Sequence, residues 1–177
     1  MSDADDRHNW APLLEDLEAR RERALAMGGE ERVERQRTLG KLPVRDRLVR
    51  FVDPGTFVEY GQLADHMDPG YAEKGHFAAD GCITGIGEID GRRVAVCAYD
   101  FTVMAGSMGA VNEYKVTRLR ELVLRQRIPI VWLLDSAGAR VGSSTGSTFA
   151  GAGALFREQV RLSGVVPQVA ALMGHCA

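Results

Sequence analysis

The sequence predicts an α/β domain in which helices cover a mainly parallel sheet. A hairpin pattern over residues 82–99 precedes a helix that ends at about Gln126 and an apolar, β-branched run at 129–134. A further helix over about 150–163 then leads to a last apolar run, 165–173. Strands that are separated by helices favour parallel pairing with right-handed crossovers. At 177 residues, with 45% hydrophobic and 26% charged residues, the composition is that of one globular domain.

The N-terminal part of the chain is predicted to be helical. Apolar residues at helical spacing place one helix over residues 12–27, and a charged helix follows from Glu30 to about Arg37. A third, short helix begins at the proline-led segment 43–50. We therefore divide the chain into a helical lead-in, residues 1–29, and a main domain, residues 30–177.

The middle of the chain is predicted to form strands around a surface loop. Residues 57–60 have the pattern of a short strand, whereas residues 61–80 show no period, which is typical of a loop. The segments 82–89 and 92–99 are strand-like and are joined by Asp90-Gly91, a preferred two-residue turn. These features predict a β-hairpin.

Two apolar strands are expected to end at small-residue loops. The run 129–134 leads into residues 135–140, and the run 165–173 leads into residues 174–177. Both runs are predicted to be buried on both faces. Because Ala and Gly leave the backbone open, N–H groups of the two loops could converge on one developing negative charge, such as a thioester enolate. The alternative is a pair of ordinary turns beneath packed helices.

Charge and composition exclude several classes of function. A net charge of −2 gives no reason to expect binding to nucleic acid or to an anionic membrane. The acidic N-terminus does not resemble a secretory signal, and no apolar stretch approaches membrane-spanning length, so we expect a cytoplasmic protein. The three cysteines are expected to be reduced thiols, and the histidines of the 61–80 loop are expected to be solvated, so that no metal site is predicted. These residues are Cys82, Cys97, Cys176, His66 and His76.

One motif suggests a different chemistry. Residues 105–109 form an A-x-S-x-G variant of the nucleophile elbow of α/β-hydrolases, with Ser107 at its centre. Asp135 and His175 follow in the order that such a catalytic triad uses, but the intervals are too short for the strands of that fold. The glycines of residues 142–148 lack the lysine and the spacing of a phosphate-binding loop.

A series of short motifs, in order along the chain, carries a family resemblance. The segments are 40–59, 80–85, 100–103, 106–109, 135–140, 163–168 and 173–174. Together they resemble the carboxyltransferase (β) subunit of biotin-dependent acyl-CoA carboxylases, the propionyl-CoA/acetyl-CoA carboxylase group. The resemblance implies that residues 30–177 are an N-terminal carboxyltransferase domain with a partial crotonase-like ββα superhelix.

The resemblance also implies a chemistry. Such subunits transfer a carboxyl group from carboxybiotin, carried on a separate protein, to the α-carbon of an acyl-CoA. Backbone amides hold the thioester enolate and the biotin ureido oxygen, and the released biotin takes the α-proton, so no protein base is expected. Gly138 and Ala139 match the first oxyanion loop, with the donor most simply placed at Ala139, and Ala177 lies where the second donor loop begins. Arg140 is expected to anchor the first loop.

Substrate and partners follow from the same resemblance. Lys41, Arg45 and Arg47 could face the CoA phosphates, although a solvated helix surface is the simpler explanation. The implied partners are a biotin carboxylase/biotin carboxyl carrier (α) subunit and further copies of the chain, which form a hexamer in the family. Because the family's active site also needs a C-terminal domain, we expect no turnover from these 177 residues alone. Ala105 departs from the family's usual glycine.

Three alternatives remain open at this point. A biotin-dependent acyl-CoA decarboxylase or transcarboxylase subunit would share the domain and differ in its partners. A Ser107 hydrolase and a non-catalytic binding or assembly module belong to different classes. Labelling of Ser107 by a fluorophosphonate would identify the hydrolase, and binding to immobilised CoA separates the carboxyltransferase from a silent module.

Overall fold

The described part of the protein contains one five-stranded sheet with helices on both faces. The structure, a computed structural model, describes residues 9–65, 78–140 and 153–176. The strands are β1 (Val58–Tyr60), β2 (Cys82–Ile89), β3 (Arg92–Tyr99), β4 (Ile130–Ser136) and β5 (Gln168–Cys176). The helices are α1 (Ala11–Leu25), α2 (Glu30–Thr38), α3 (Val44–Phe51), α4 (Ala110–Gln126) and α5 (Gly153–Leu162), with 3-10 turns at Ala78–Gly81 and Met104–Gly106.

The strand order follows the chain, from β1 to β5. The β1–β2 and β2–β3 pairings are antiparallel, whereas β3–β4 and β4–β5 are parallel. Because a parallel pair needs a crossover, α4 joins β3 to β4 and α5 lies between β4 and β5 along the chain. The predicted alternation of strands and helices is confirmed, with a sheet that is half parallel rather than mainly parallel.

The predicted hairpin is confirmed residue for residue. Strands β2 and β3 pair in register from Cys82–Tyr99 to Ile89–Arg92. Asp90 and Gly91 in the turn have φ values of 50° and 71°, as a two-residue turn requires. The Asp53 carboxylate accepts hydrogen bonds from both of their N–H groups, at 3.2 Å and 2.9 Å. The turn is therefore held from outside as well as by its own sequence.

Side chains of the central strands contribute to two hydrophobic cores, one on each face of the sheet. On one face, Cys97, Ile130 and Trp132 pack with residues of α4 and with Leu162 of α5. On the other face, Val96 and its strand neighbours pack against α3. Alternating strand residues face opposite sides of a sheet, so the central strands are buried on both faces, as predicted for β4.

Strand β5 differs from its prediction in position and in burial. It was predicted over residues 165–173 as a buried strand, but it runs from Gln168 to Cys176 and most of its residues are exposed. Val169 and Leu172 are 54% and 67% exposed, and β5 lies at the edge of the sheet. The predicted loop at residues 174–176 is instead extended, since the ladder with β4 continues to Ser136 opposite Cys176.

The first predicted helix is present near the N-terminus. The helix predicted over residues 12–27 is α1, of which Ala24 is buried against the domain while Leu13 and Leu14 are about 60% exposed.

No helix within the described ranges is both long enough and apolar enough to cross a membrane. All three cysteines are free thiols, and burial raises the pKa of Cys97.

Candidate functional site

The loop after β4 is fastened to the segment that precedes α4. The Ala137 N–H donates to the Ala105 carbonyl at 2.9 Å. The Met108 N–H donates to the Gly138 carbonyl, and the Arg140 N–H donates to the Met108 carbonyl, both at 2.8 Å. These last two bonds form a parallel bridge between Met108 and Ala139. The loop is thus fixed by its backbone before any side chain is considered.

The bridge leaves the amide of Ala139 available for a ligand. A trans peptide points its C=O and N–H in opposite directions, so the Gly138 carbonyl that faces Met108 directs the Ala139 N–H away from it. Within the residues that the structure describes, the Ala139 N–H donates to no protein group, and Ala139 is exposed. The Gly138 N–H, by contrast, donates to Ser136 Oγ at 3.0 Å. Of the two predicted loop residues, Ala139 has the N–H without a partner among the described residues, and Gly138, at φ 89°, forms the turn.

Arg140 anchors the loop through a buried ion pair. Its guanidinium donates to Asp80 Oδ1 at 2.6 Å and to the Ser107 carbonyl at 2.9 Å. Both side chains of the pair are at most 3% exposed. Asp80 Oδ2 also accepts the N–H of Asn112 at 2.8 Å, in the first turn of α4. The side chain of Arg140 therefore ties the loop to the helix beside it.

Left-handed backbone conformations flank the same loop. Ala79, Asp80, Met104 and Ala105 have φ between 48° and 56°, which costs a non-glycine residue about 1 kcal/mol each. Lys115, whose pKa is lowered by burial, donates to the carbonyls of Ala79 and Cys82 and so supports the first of these turns. Strain of this kind persists where the surrounding structure enforces it, and it concentrates at functional sites.

A second buried cluster lies on the other face of β4. The fully buried carboxylate of Asp135 accepts from Arg47 at 2.8 Å and from Lys41 at 3.3 Å. Lys41 Nζ also lies 5.3 Å from the centre of the Phe101 ring. Gly174 of β5 packs directly against this cluster, because a Cβ there would overlap Asp135 Oδ1 and Lys41 Nζ. The ion pairs thus fill the space between the ends of β4 and β5.

The three predicted CoA-facing residues are all engaged in ion pairs. Arg45 donates to both carboxylate oxygens of Glu59, at 2.9 Å and 3.3 Å, and Arg47 is buried against Asp135. Lys41 is the most accessible of the three, with 28% of its side chain exposed. Contact with CoA stays a prediction for each of them. Sequence reasoning missed Glu59 and Asp135 as partners, although a carboxylate directly after a buried strand signals that a cation must lie opposite.

The structure does not assemble the hydrolase triad. Ser107 Oγ accepts from Arg140 Nε at 3.3 Å. The Asp135 carboxylate is bonded to cations, and the His175 ring stacks on Phe101 with centroids 5.6 Å apart. No hydrogen bond among the described residues joins Ser107, Asp135 and His175, so the nucleophile has no base beside it.

Some predicted features lie outside the described residues. These are the second donor at Ala177, the segment 142–148, and the loop residues His66 and His76. Within the described ranges, no group of three His, Cys, Asp or Glu side chains could hold a metal ion. A cavity of about 480 Å³ lies between α4 and the β1–β2 edge, and none of its lining residues belongs to the 135–140 loop.

Residues 35–177 match the family model of the carboxyl transferase domain. Over 165 residues, the chain is 42% identical to the propionyl-CoA carboxylase carboxyltransferase subunit of Haloferax mediterranei, covering 93% of this chain and 32% of that protein. Over 153 residues, it is 40% identical to the methylmalonyl-CoA decarboxylase subunit alpha of Veillonella parvula, covering 86% and 30%. The chain spans about a third of the length of these relatives.

Solved structures agree with the sequence comparison. A crystal structure of transcarboxylase 12S, with methylmalonyl-CoA and methylmalonic acid bound, matches with a TM-score of 0.84 at 40% identity, covering 91% of this chain and 31% of that one. The β subunit of geranyl-CoA carboxylase from P. aeruginosa matches with a TM-score of 0.78 at 27% identity, covering 94% and 31%. The predicted crotonase-like α/β fold is confirmed by these matches.

Proposed function

The chain belongs to the carboxyl transferase domain family, and from that premise we propose that it forms the acyl-CoA-binding part of a biotin-dependent acyl-CoA carboxylase. The observation that carries the proposal is the Ala139 N–H, which has no partner among the described residues and lies on a loop that is fixed by backbone hydrogen bonds and by Arg140. A donor that is held in place before the substrate arrives suits an oxygen on which negative charge develops. The expected target is the thioester oxygen of the acyl-CoA.

The loop would stabilise the enolate that forms when the acyl-CoA loses its α-proton. One preorganised donor in such a hole is worth about 10²–10³ in rate. Within residues 135–140, the two titratable side chains, Asp135 and Arg140, are both held in ion pairs, so neither is placed to act as a base. When present on its carrier, carboxybiotin would supply the carboxyl group that becomes bonded to the α-carbon, and the biotin left after that group has departed would take up the α-proton. An amide donor fits a carbonyl or ureido oxygen equally well.

The remaining parts of the active site are proposed from the family. Ala177 would begin the second donor loop, and Lys41, Arg45 and Arg47 would lie on the side of the site where CoA enters. We infer that the complete protein acts in the cytoplasm as a homo-oligomer together with a biotin carboxylase and biotin carboxyl carrier subunit. The transcarboxylase 12S structure is described as a hexamer, which supports the self-association.

The test is carboxyl transfer by the complete encoded protein. Incubated with carboxylated biotin carrier and propionyl-CoA, it should form methylmalonyl-CoA, which mass spectrometry detects. Ala139→Pro removes the N–H and should lower kcat by about 10²–10³, whereas Ala139→Gly keeps the donor and should retain most of the activity. Thermal unfolding of each variant checks that the fold is intact. An active, folded Ala139→Pro protein would contradict the role of this amide.

A decarboxylase or transcarboxylase component is the second candidate. It is supported by the 40% identity to the Veillonella decarboxylase subunit and by the equal identity to transcarboxylase 12S. These classes differ in the proteins that accompany the carboxyltransferase. Affinity purification from the source organism decides between them, because recovery of a biotin carboxylase subunit supports the carboxylase and its absence beside a biotin carrier supports the alternative.

A further inference from the structure

We propose that Ser136 is a positioning residue for the Ala139 amide. The inference rests on the proposed function. It adds a side chain to a site for which the family resemblance gives only backbone amide donors. Ser136 is the last residue of β4 and is 5% exposed. Because successive strand residues face opposite sides, its hydroxyl points away from the Asp135 ion pairs and toward the segment before α4.

The Ser136 hydroxyl joins the two segments that form the loop. Its Oγ donates to the Gly106 carbonyl at 2.7 Å and accepts from the Gly138 N–H at 3.0 Å. Gly106 belongs to the 3-10 turn at Met104–Gly106, beside the left-handed Ala105. One buried hydroxyl therefore acts as donor and as acceptor between the two segments.

These bonds bear directly on the orientation of the Ala139 N–H. That N–H lies in the peptide plane between Gly138 and Ala139, and the direction of the plane depends on the φ and ψ angles of Gly138. Gly138 has no Cβ to restrict those angles. Ser136 holds the peptide plane that precedes Gly138, and the Met108 N–H holds the plane that follows it at 2.8 Å. With both planes fixed, the glycine between them cannot rotate freely.

Removal of the hydroxyl would release one of the two planes. In Ser136→Ala, the Gly138 N–H and the Gly106 carbonyl each lose a buried partner. The peptide plane that carries the Ala139 N–H would then be held by the Met108 bridge alone, so its orientation would be less restricted although its own chemistry is unchanged. Since a donor displaced by about 1 Å can cost about 10²-fold in rate, a loosened loop should lower kcat by about tenfold or more. Binding of the CoA moiety does not depend on this amide, so KM should change little.

The experiment compares Ser136→Ala, Ser136→Thr and Ser163→Ala in the complete protein. Ser163 is exposed and controls for the loss of a serine hydroxyl. We expect kcat for carboxylation of propionyl-CoA to fall about tenfold or more in Ser136→Ala, with KM within about twofold, and to recover in Ser136→Thr, which keeps the hydroxyl. Equal kcat values in wild type and Ser136→Ala, or equal losses in the Ala and Thr variants with both folded, would overturn the inference.

Hydrogen–deuterium exchange provides a readout that does not depend on catalysis. The peptide that covers residues 136–140 should exchange about tenfold faster in Ser136→Ala, whereas peptides of α4 should be unchanged. Unchanged exchange at residues 136–140 would also overturn the inference. If the wild-type protein transfers no carboxyl group, the proposed function fails, and the exchange measurement still decides whether Ser136 holds the loop.

Discussion

The ends of β4 and β5 lie side by side, yet they are held in different ways. β4 is buried, and the loop after it is fixed by backbone bonds, by Ser136 and by the Arg140–Asp80 ion pair. β5 is exposed, and its end is fixed by the ladder with β4 and by the contact of Gly174 with Asp135. The first end is therefore preorganised by its own surroundings, whereas the second depends on the first.

Asp135 connects the two ends. Its backbone leads into the loop that carries Ala139, and its side chain occupies the space beside Gly174. A change in the ion pairs of Asp135 should therefore alter the structure at the ends of both β4 and β5. A change at Arg140 should affect only the loop after β4. The following predictions test this difference, from the largest expected effect to the smallest.

The largest effect is expected at the first end. Arg140→Met leaves the Asp80 carboxylate buried without its cation, and breaking a buried pair in this way costs about 3–5 kcal/mol. Urea unfolding should report that loss. The matched control is Arg118→Met, which removes a surface pair with Glu121 and should cost at most about 1 kcal/mol. Similar losses for the two variants would show that the loop is not anchored by this pair.

At the second end, a single added methyl group should disturb the packing. Gly174→Ala places a Cβ onto Asp135 Oδ1, which Arg47 holds in position, and overpacking of this kind costs about 1–3 kcal/mol. Gly153→Ala is the control, because a Cβ there meets no atom of the described residues within 4 Å. Thermal unfolding of the two variants distinguishes them. If Gly174→Ala is as stable as wild type, Gly174 is not tightly packed against the ion pairs of Asp135.

A third prediction concerns pH at the end of β3. Burial raises the pKa of Asp100 above 3.8, against opposing hydrogen bonds from Thr102. The Asp100 carboxyl therefore binds its proton more tightly in the folded state than in the unfolded state. The stability that the protonated carboxyl contributes is fully present below pH 3.8 and is lost as the pH rises through the pKa of the folded state. The unfolding free energy of wild type relative to Asp100→Asn should fall over that range. A flat difference would contradict the raised pKa.

The smallest effect is expected at Ala105. Glycine adopts its φ of 51° without the steric cost that alanine incurs, so Ala105→Gly should stabilise the protein by up to about 1 kcal/mol, reduced by the greater freedom of the unfolded chain. Ala95→Gly, at a buried position with ordinary strand geometry, should instead destabilise it. Chemical unfolding of both variants checks the sign. A destabilised Ala105→Gly would mean that the methyl group packs favourably.

Local signals were sufficient for most of the fold. The Asp90-Gly91 turn fixed both the position and the register of the hairpin, because its backbone conformation is compatible with few alternatives. Helical spacing placed α4 correctly. In each case the determining contacts lie within a few residues along the chain.

Features that depend on distant residues were not predictable in the same way. The apolar composition of β5 suggested burial, but burial depends on what lies beyond the sheet edge and not on the strand itself. The pairing of Arg47 with Asp135 joins residues 88 positions apart, and Arg45 with Glu59 depends on how α3 packs on the sheet. A helix that carries several arginines gives no indication of which of them will be neutralised.

The donor proposed at residue 139 is a main-chain group, and this has a consequence for how such a site can change over time. No codon except one for proline deletes a peptide N–H, so the side chain at this position is free to drift while the chemistry persists. Mutational sensitivity should fall instead on the neighbours that aim the amide. Saturation mutagenesis of residues 136–140 would then give a tolerant position 139 between intolerant ones, a pattern that a search for reactive side chains would overlook.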